Sequence, residues 1–257
     1  MAVLLCLPLV SFGKNEPVIA IIIDDIGDNL DKGLEIIDLP GEITLSILPL
    51  KSYSRVLAET AHMNNREIML HMPMQPMSAN KHMGPGGLKL NMSHKQLAQT
   101  FRTSLQSVPY VSGVNNHMGS LLTANARPMK WLMAEIDEIG GLYFVDSRTH
   151  HSSVAAFMAS EYNLSNASRD IFLDDDINKE KIELYFSKLI LKAKKTGFAL
   201  AIGHPHRETL DVLAEWLPKL ESLGVQLVPV SKYIQRKQQR GRIWQASLSR
   251  SPLGAKN

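Results

Sequence analysis

Two carboxylates, Asp24 and Asp25, stand side by side in VIAIIIDDIG (18–27), directly after a strongly hydrophobic run. Adjacent like charges at the end of a buried strand repel each other and lose hydration, so they need a cation or a proton nearby. The ordinary alternative is capping of the next helix by Asp25 or Asp28. Histidines recur in comparable settings: His71 in EIMLHMP, His117 in GVNNHMG, where the adjacent Asn115 and Asn116 amides are placed to fix its tautomer, and His204 and His206 in GHPH. A catalytic zinc takes about three protein ligands from His and Asp/Glu and leaves one position to water. Asp25, His71 and His117 make such a set, and a divalent cation among them offsets the paired carboxylates. Such an ion activates water and polarises a carbonyl. Asp24 then remains to accept the water's proton, and His204 to protonate a leaving amine. The chemistry these residues suit is metal-assisted hydrolysis.

Side chains of this kind must be delivered by the ends of regular elements. Strand-like runs fall at 18–25, 43–49, 67–73, 113–119, 142–148, 170–175, 198–204 and 225–231. Between them lie helix-like stretches. In 179–195, Ile182, Phe186, Leu189 and Ala193 recur at helical spacing, as do Leu210, Leu213, Leu217 and Leu220 in 207–221, where Pro218 shortens or kinks the helix. Strands alternating with helices predict an α/β fold with a parallel sheet, and eight strands is the count of a closed (β/α) barrel. In such a barrel the C-terminal strand ends build the active site. Here those ends read Asp24-Asp25, Pro49, His71, Asn115-Asn116-His117, Asp146, Asp174-Asp175, His204-His206 and Ser231. Asp174 and Asp175 read as caps of the helix beginning near Asn178. Asn116, His206 and Arg148 are the candidate substrate contacts, and the Gly/Pro- and Met-rich connection 74–92 is a candidate binding loop.

Composition bounds the rest. The 257 residues are 44% hydrophobic and 21% charged, with net charge +3. No acidic residue follows Glu221, so Arg236, Lys237, Arg240, Arg242, Arg250 and Lys256 concentrate the basicity in a tail, 235–257, expected to be disordered. The near-neutral body implies no nucleic-acid surface. A single cysteine excludes an internal disulfide and a multi-cysteine zinc site. The apolar opening MAVLLCLPLVSFG reads as an export signal within residues 1–16, the alternative being a disordered N-terminus; as a signal it implies the periplasm or the cell exterior, with one domain at 17–234. No later segment approaches the roughly 20 apolar residues of a membrane span.

Taken in order, IIIDDIG, LHMPMQP, GVNNHMGS, FVDSRT, RDIFLDD and AIGHPH resemble the divergent polysaccharide deacetylases, a branch of the NodB-type carbohydrate deacetylases, over roughly 18–233. The resemblance implies a distorted (β/α) barrel of seven to eight mostly parallel strands, one divalent metal ion (most often zinc), and a polysaccharide or peptidoglycan-like glycan as substrate. It implies Asp24 as base, Asp25 as metal ligand, His204 as acid and Asp146 as an orienting carboxylate. It also implies two metal histidines four apart, but here His71 is followed by Gln75, so His117 must replace the second from the next strand. A glycan- or partner-binding protein with weak or no turnover is the rival expectation.

Overall fold

The computed structural model describes residues 16–78 and 82–249, with side chains as far as Trp244; most of the expected export signal and the last eight residues lie outside the described residues. In chain order the elements are β1 (Val18–Ile26), α1 (Leu30–Ile37), β2 (Thr44–Ile47), α2 (Ser54–Met63), β3 (Glu67–Met74), α3 (His94–Ser107), β4 (Val111–Met118), α4 (Ala126–Ile139) and β5 (Tyr143–Asp146). There follow α5 (Ala155–Glu161), β6 (Asn166–Ser168), β7 (Ile171–Phe172), α6 (Lys179–Thr196), β8 (Phe198–Gly203), α7 (Arg207–Trp216), β9 (Gln226–Leu227) and α8 (Val230–Ser249). All strand pairs are parallel, in the order β6-β5-β4-β3-β2-β1-β8-β7, with β9 on β1.

The barrel closes through a shared segment. Residues 166–168 pair with β5, the Arg169 amide then donates to Asp146 O, and from Asp170 onward the chain pairs with β8. The expected strand at 170–175 is therefore the second half of a segment that changes neighbours, and the strand expected at 225–231 shrinks to two residues. The fold is a distorted (β/α) barrel.

Alternation along each strand sorts the core into two layers. Ile19, Ile21, Ile23, Leu45, Leu70, Val114, Phe144 and Ala201 pack outward against the helices. Val18, Ala20, Ile22, Met69, Tyr143, Val145, Leu200 and Ile202 face the barrel interior, where Val230, Tyr233 and Ile234 of α8 join them. The basic segment expected to be disordered is thus corrected as far as Ser249: it continues α8, whose first turns close the bottom of the barrel. The Ser231 amide donates to both oxygens of Glu67 at 3.2 Å, and the Arg240 guanidinium lies 5.5 Å from the Phe198 ring centre. Buried Tyr233 and Ile234 draw a polar sequence into a helix that its composition alone does not favour.

The same parity, carried to the opposite end, decides which polar residues meet. Asp24 continues Val18-Ala20-Ile22, His71 continues Met69, Asn115 and His117 continue Gly113, Ser147 continues Tyr143-Val145, and His204 continues Leu200-Ile202. All six point inward. Asp25 and Asp146 have outward parity.

Candidate active site

Asp25 escapes its parity by a backbone device. Its φ is +58°, and the β1–β2 register shifts between Ile23 and Ile26, so a bulge turns the carboxylate from the helix layer to the barrel mouth. That conformation costs an L-residue of order 1–2 kcal/mol, least for Gly, Asn and Asp. Each fully buried isoleucine of β1 contributes about 1.5–3 kcal/mol, so the strand holds the strained end in place. Helix capping is not the role of either aspartate, because Asn29 caps α1 by accepting from the Lys32 amide at 2.9 Å.

Three donor atoms converge there. Asp25 Oδ1 lies 2.8 Å from His117 Nδ1 and 3.1 Å from His71 Nε2, and the two ring nitrogens are 3.2 Å apart. Ligands 2.0–2.1 Å from a tetrahedral ion stand about 3.3 Å from each other, so the triangle has the size of a zinc face. Asp25 Oδ1 is buried and, although close to both rings, is aligned with neither as a hydrogen-bond acceptor. A buried carboxylate oxygen without a partner beside two imidazoles fits a divalent cation. Burial alone would raise the Asp25 pKa, but the neighbouring His117 and His71 outweigh it and hold the carboxyl well below the usual carboxylate range.

The second layer fixes the orientation of the first. His71, 1% exposed, donates from Nδ1 to Asn115 Oδ1 at 2.8 Å, which leaves Nε2 with its lone pair toward Asp25. Ser46 Oγ donates to the same Asn115 oxygen at 2.7 Å, and Asn115 Nδ2 donates to Asp24 Oδ1 at 2.8 Å. One amide therefore sets the tautomer of His71 and anchors Asp24. The pair Asn115-Asn116 looked in the sequence like a support for His117, whereas Asn115 serves the neighbouring strand. Asn115→Ala is expected to weaken zinc affinity about 10–100-fold, read by competition against a chromophoric chelator.

His204 is oriented by a residue that sequence reasoning gave another task. Its Nδ1 donates to Asp174 Oδ1 at 2.9 Å, while Asp174 Oδ2 accepts from the His204 amide at 2.6 Å and Thr209 Oγ1 at 2.8 Å. Asp174 does not cap α6; Asn178 does, through the Lys181 amide. His204 Nε2 is left facing the mouth, 4.0 Å from Asp25 Oδ2. Burial favours the neutral ring, but the bonded Asp174 and the charges of Asp24 and Asp25 prevail and raise the His204 pKa to about 9. The ring is protonated at neutral pH and loses its proton as the pH rises through that value. Asp174→Asn removes the main support of the imidazolium. The alkaline limb of a pH–rate profile is then expected to move down by roughly 1–3 units.

A cavity of about 390 Å³ opens over this cluster, lined by Asp24, Asp25, His71, Asn116, His117, Ser147, Phe172 and His204, with Pro76, Met77 and Ser78 from the 74–92 connection. The remaining expectations are corrected or relocated. Asp146, 2% exposed, points away from this cavity, accepting from the Arg148 amide and Ser153 Oγ, both at 2.8 Å, to shape the loop after β5. Arg148 is exposed and is not among the residues that line this cavity. Asn116 reaches the wall, but its amide accepts from the Ser147 amide at 2.9 Å and donates to Met118 O at 2.7 Å, tying β4 to the loop after β5. His206 lines a neighbouring cavity of about 250 Å³ that shares Asp25 and His204. Gln75 stays out of the ligand set: its Oε1 accepts from the Leu90 amide at 2.8 Å and its carbonyl from the Leu121 and Leu122 amides, which fastens the long connection to the barrel rim. Of the methionines there, Met74 is buried in the outer core and Met77 is half exposed at the cavity.

A parallel barrel with two carboxylates and three histidines at its C-terminal mouth defines a NodB-like fold of the kind shared by carbohydrate deacetylases. The chain belongs to the divergent polysaccharide deacetylases, whose family model matches residues 21–234. An uncharacterised Haemophilus influenzae protein is 40% identical over 218 residues, 85% of this chain and 77% of that one. Among solved structures, an uncharacterised Agrobacterium tumefaciens protein superposes with TM-score 0.81 at 22% identity, covering 86% of this chain and 90% of its own. A mutant of the Bacillus subtilis peptidoglycan deacetylase PdaC gives TM-score 0.55 at 17% identity, with coverages of 92% and 98%. These likenesses confirm the barrel. Among the described residues no helix is long and apolar enough to cross a membrane.

Proposed function

We propose that the protein is a metal-dependent hydrolase that removes N-acetyl or related acyl groups from an envelope or extracellular polysaccharide, with zinc as the ion. The observation that carries this reading is the unpartnered Asp25 Oδ1 at 2.8 and 3.1 Å from His117 and His71, beneath a cavity that also holds Asp24 and His204. Asp25, His71 and His117 would hold the ion, which when bound supplies Lewis-acid polarisation of the acyl carbonyl and of the attacking water. The chain's own residues handle the protons. Asp24, fixed by Asn115, takes the proton from the attacking water as oxygen bonds to the acyl carbon. His204 gives its Nε2 proton to the sugar nitrogen as the carbon–nitrogen bond breaks, leaving a carboxylic acid and a free amine. Asp174 keeps His204 charged and aimed before that step.

A structural neighbour named as a peptidoglycan deacetylase supports a glycan of that kind as substrate, and the apolar residues 1–13 support a periplasmic or secreted setting. The missing histidine at position 75 supports a turnover-free binding protein only if the third donor is lost; His117 supplies it, which favours the enzyme. The test is acetate release from N-acetylated chito-oligosaccharides and from peptidoglycan by the zinc-loaded protein. Release that disappears on chelation and returns with zinc supports the proposal; binding without release by fully loaded protein overturns it.

A further inference from the structure

Ser147 is a buried residue of the cavity wall whose side chain neither the cluster nor the fold uses among the described residues. It follows Asp146 at the end of β5, and alternation turns it to the barrel mouth where Asp146 turns away. Its backbone is held from both sides: the amide donates to Asn116 Oδ1 at 2.9 Å, and the carbonyl accepts from Arg169 Nε at 2.7 Å. Arg169 also donates to Arg148 O at 2.9 Å, so the peptide carrying Ser147 is fixed across the seam where the barrel changes neighbours.

The side chain is treated differently. Ser147 is 2% exposed, and its Oγ is buried with no hydrogen-bond partner. Two other hydroxyls in the same wall are engaged: Thr149 Oγ1 donates to Met118 O at 2.8 Å, and Ser120 Oγ accepts from the Met77 amide at 2.9 Å. A buried hydroxyl left unpaired is unfavourable, and an alanine at the same place removes that penalty. A clamped backbone in the cavity wall, carrying a hydroxyl that no protein group engages and that a turn about χ1 can bring to the cavity, is a preorganised contact for a ligand oxygen.

We propose that Ser147 Oγ is a substrate-binding group, donating a hydrogen bond to an oxygen of the acylated sugar seated over the Asp25–His71–His117 cluster. The inference rests on the deacylase reading for the identity of its ligand, a neutral, hydroxyl-bearing acylamino sugar. The contact holds the substrate in register, so its loss acts on binding more than on the chemical step.

The test is isothermal titration of an N-acetylglucosamine tetramer into zinc-loaded wild type, Ser147→Ala and Ser147→Thr, with melting temperature and steady-state acetate release measured on each. For Ser147→Ala the expected result is a dissociation constant and KM raised roughly 5–10-fold, kcat changed less than twofold, and a melting temperature equal to or above wild type. Ser147→Thr keeps the hydroxyl and should recover most of the affinity. A lowered melting temperature for Ser147→Ala overturns the proposal, since the hydroxyl would then serve the fold. Unchanged binding and KM alongside wild-type turnover overturn the Ser147 assignment alone. A wild type that binds the tetramer without releasing acetate overturns the deacylase reading, and weakened binding by Ser147→Ala still upholds the contact. A wild type that neither binds nor hydrolyses the tetramer overturns both.

Discussion

On the proposed mechanism, Asp25→Asn and His71→Ala are each expected to lose zinc binding and at least about 10³-fold in kcat, because water activation and carbonyl polarisation would depart together with the ion. Asp25→Asn is the more informative of the two. Asparagine accepts the positive φ that Asp25 adopts, so the bulge in β1 survives and only the charge of the ligand is removed. The free protein should stay folded but melt somewhat lower, since the charge that Asp25 Oδ1 presents to His117 and His71 at 2.8 and 3.1 Å is lost. His71→Ala is harsher. It leaves a void in the buried mouth and frees Asn115 Oδ1 of one of its two donors, so a lower melting temperature accompanies the loss of metal. Circular dichroism together with metal analysis separates the two effects.

Asp24→Asn is expected to retain the ion and yet lose about 10²–10⁴-fold in kcat with little change in KM. The substitution is isosteric, and an amide oxygen can still accept from Asn115 Nδ2, so the bond that ties Asp24 to the second layer is kept. What disappears is the capacity to take up a proton. Loss of the ion together with the activity would move Asp24 into the ligand set and leave the general base to be found elsewhere. Full activity would remove the carboxylate from the chemistry.

The residues that meet at the barrel mouth were legible in the sequence because a parallel barrel gathers its strand ends, and the ends of β1, β3, β4 and β8 carry unusual polar residues after apolar bodies. Which face each residue takes was a further step, decided by the two-residue period. Counting outward from the buried core places Asp24, His71, His117 and His204 inside. The same count turns Asp146 away and brings Ser147 in, although an aspartate draws attention and a serine does not. Asp25 breaks the count through a positive φ that the strand's two-residue period does not announce. Asn115 was visible as one of two adjacent amides but was matched to the wrong histidine, because its partner lies 44 positions away on β3. Asp174 fitted a capping reading equally well until the path of β7 beside β8 set it against His204. The length of α8 escaped because its stabilisation comes from Tyr233 and Ile234 entering the barrel, a tertiary effect absent from local composition.

The most direct test of the metal site is metal content by inductively coupled plasma mass spectrometry on native wild type and on Asp25→Asn, His71→Ala and His117→Ala. Close to one zinc per wild-type chain, lost from all three variants while each remains folded, is the expected outcome. A folded wild type that stays empty after incubation with zinc contradicts it, and the barrel mouth would then be a binding site without the means to hydrolyse.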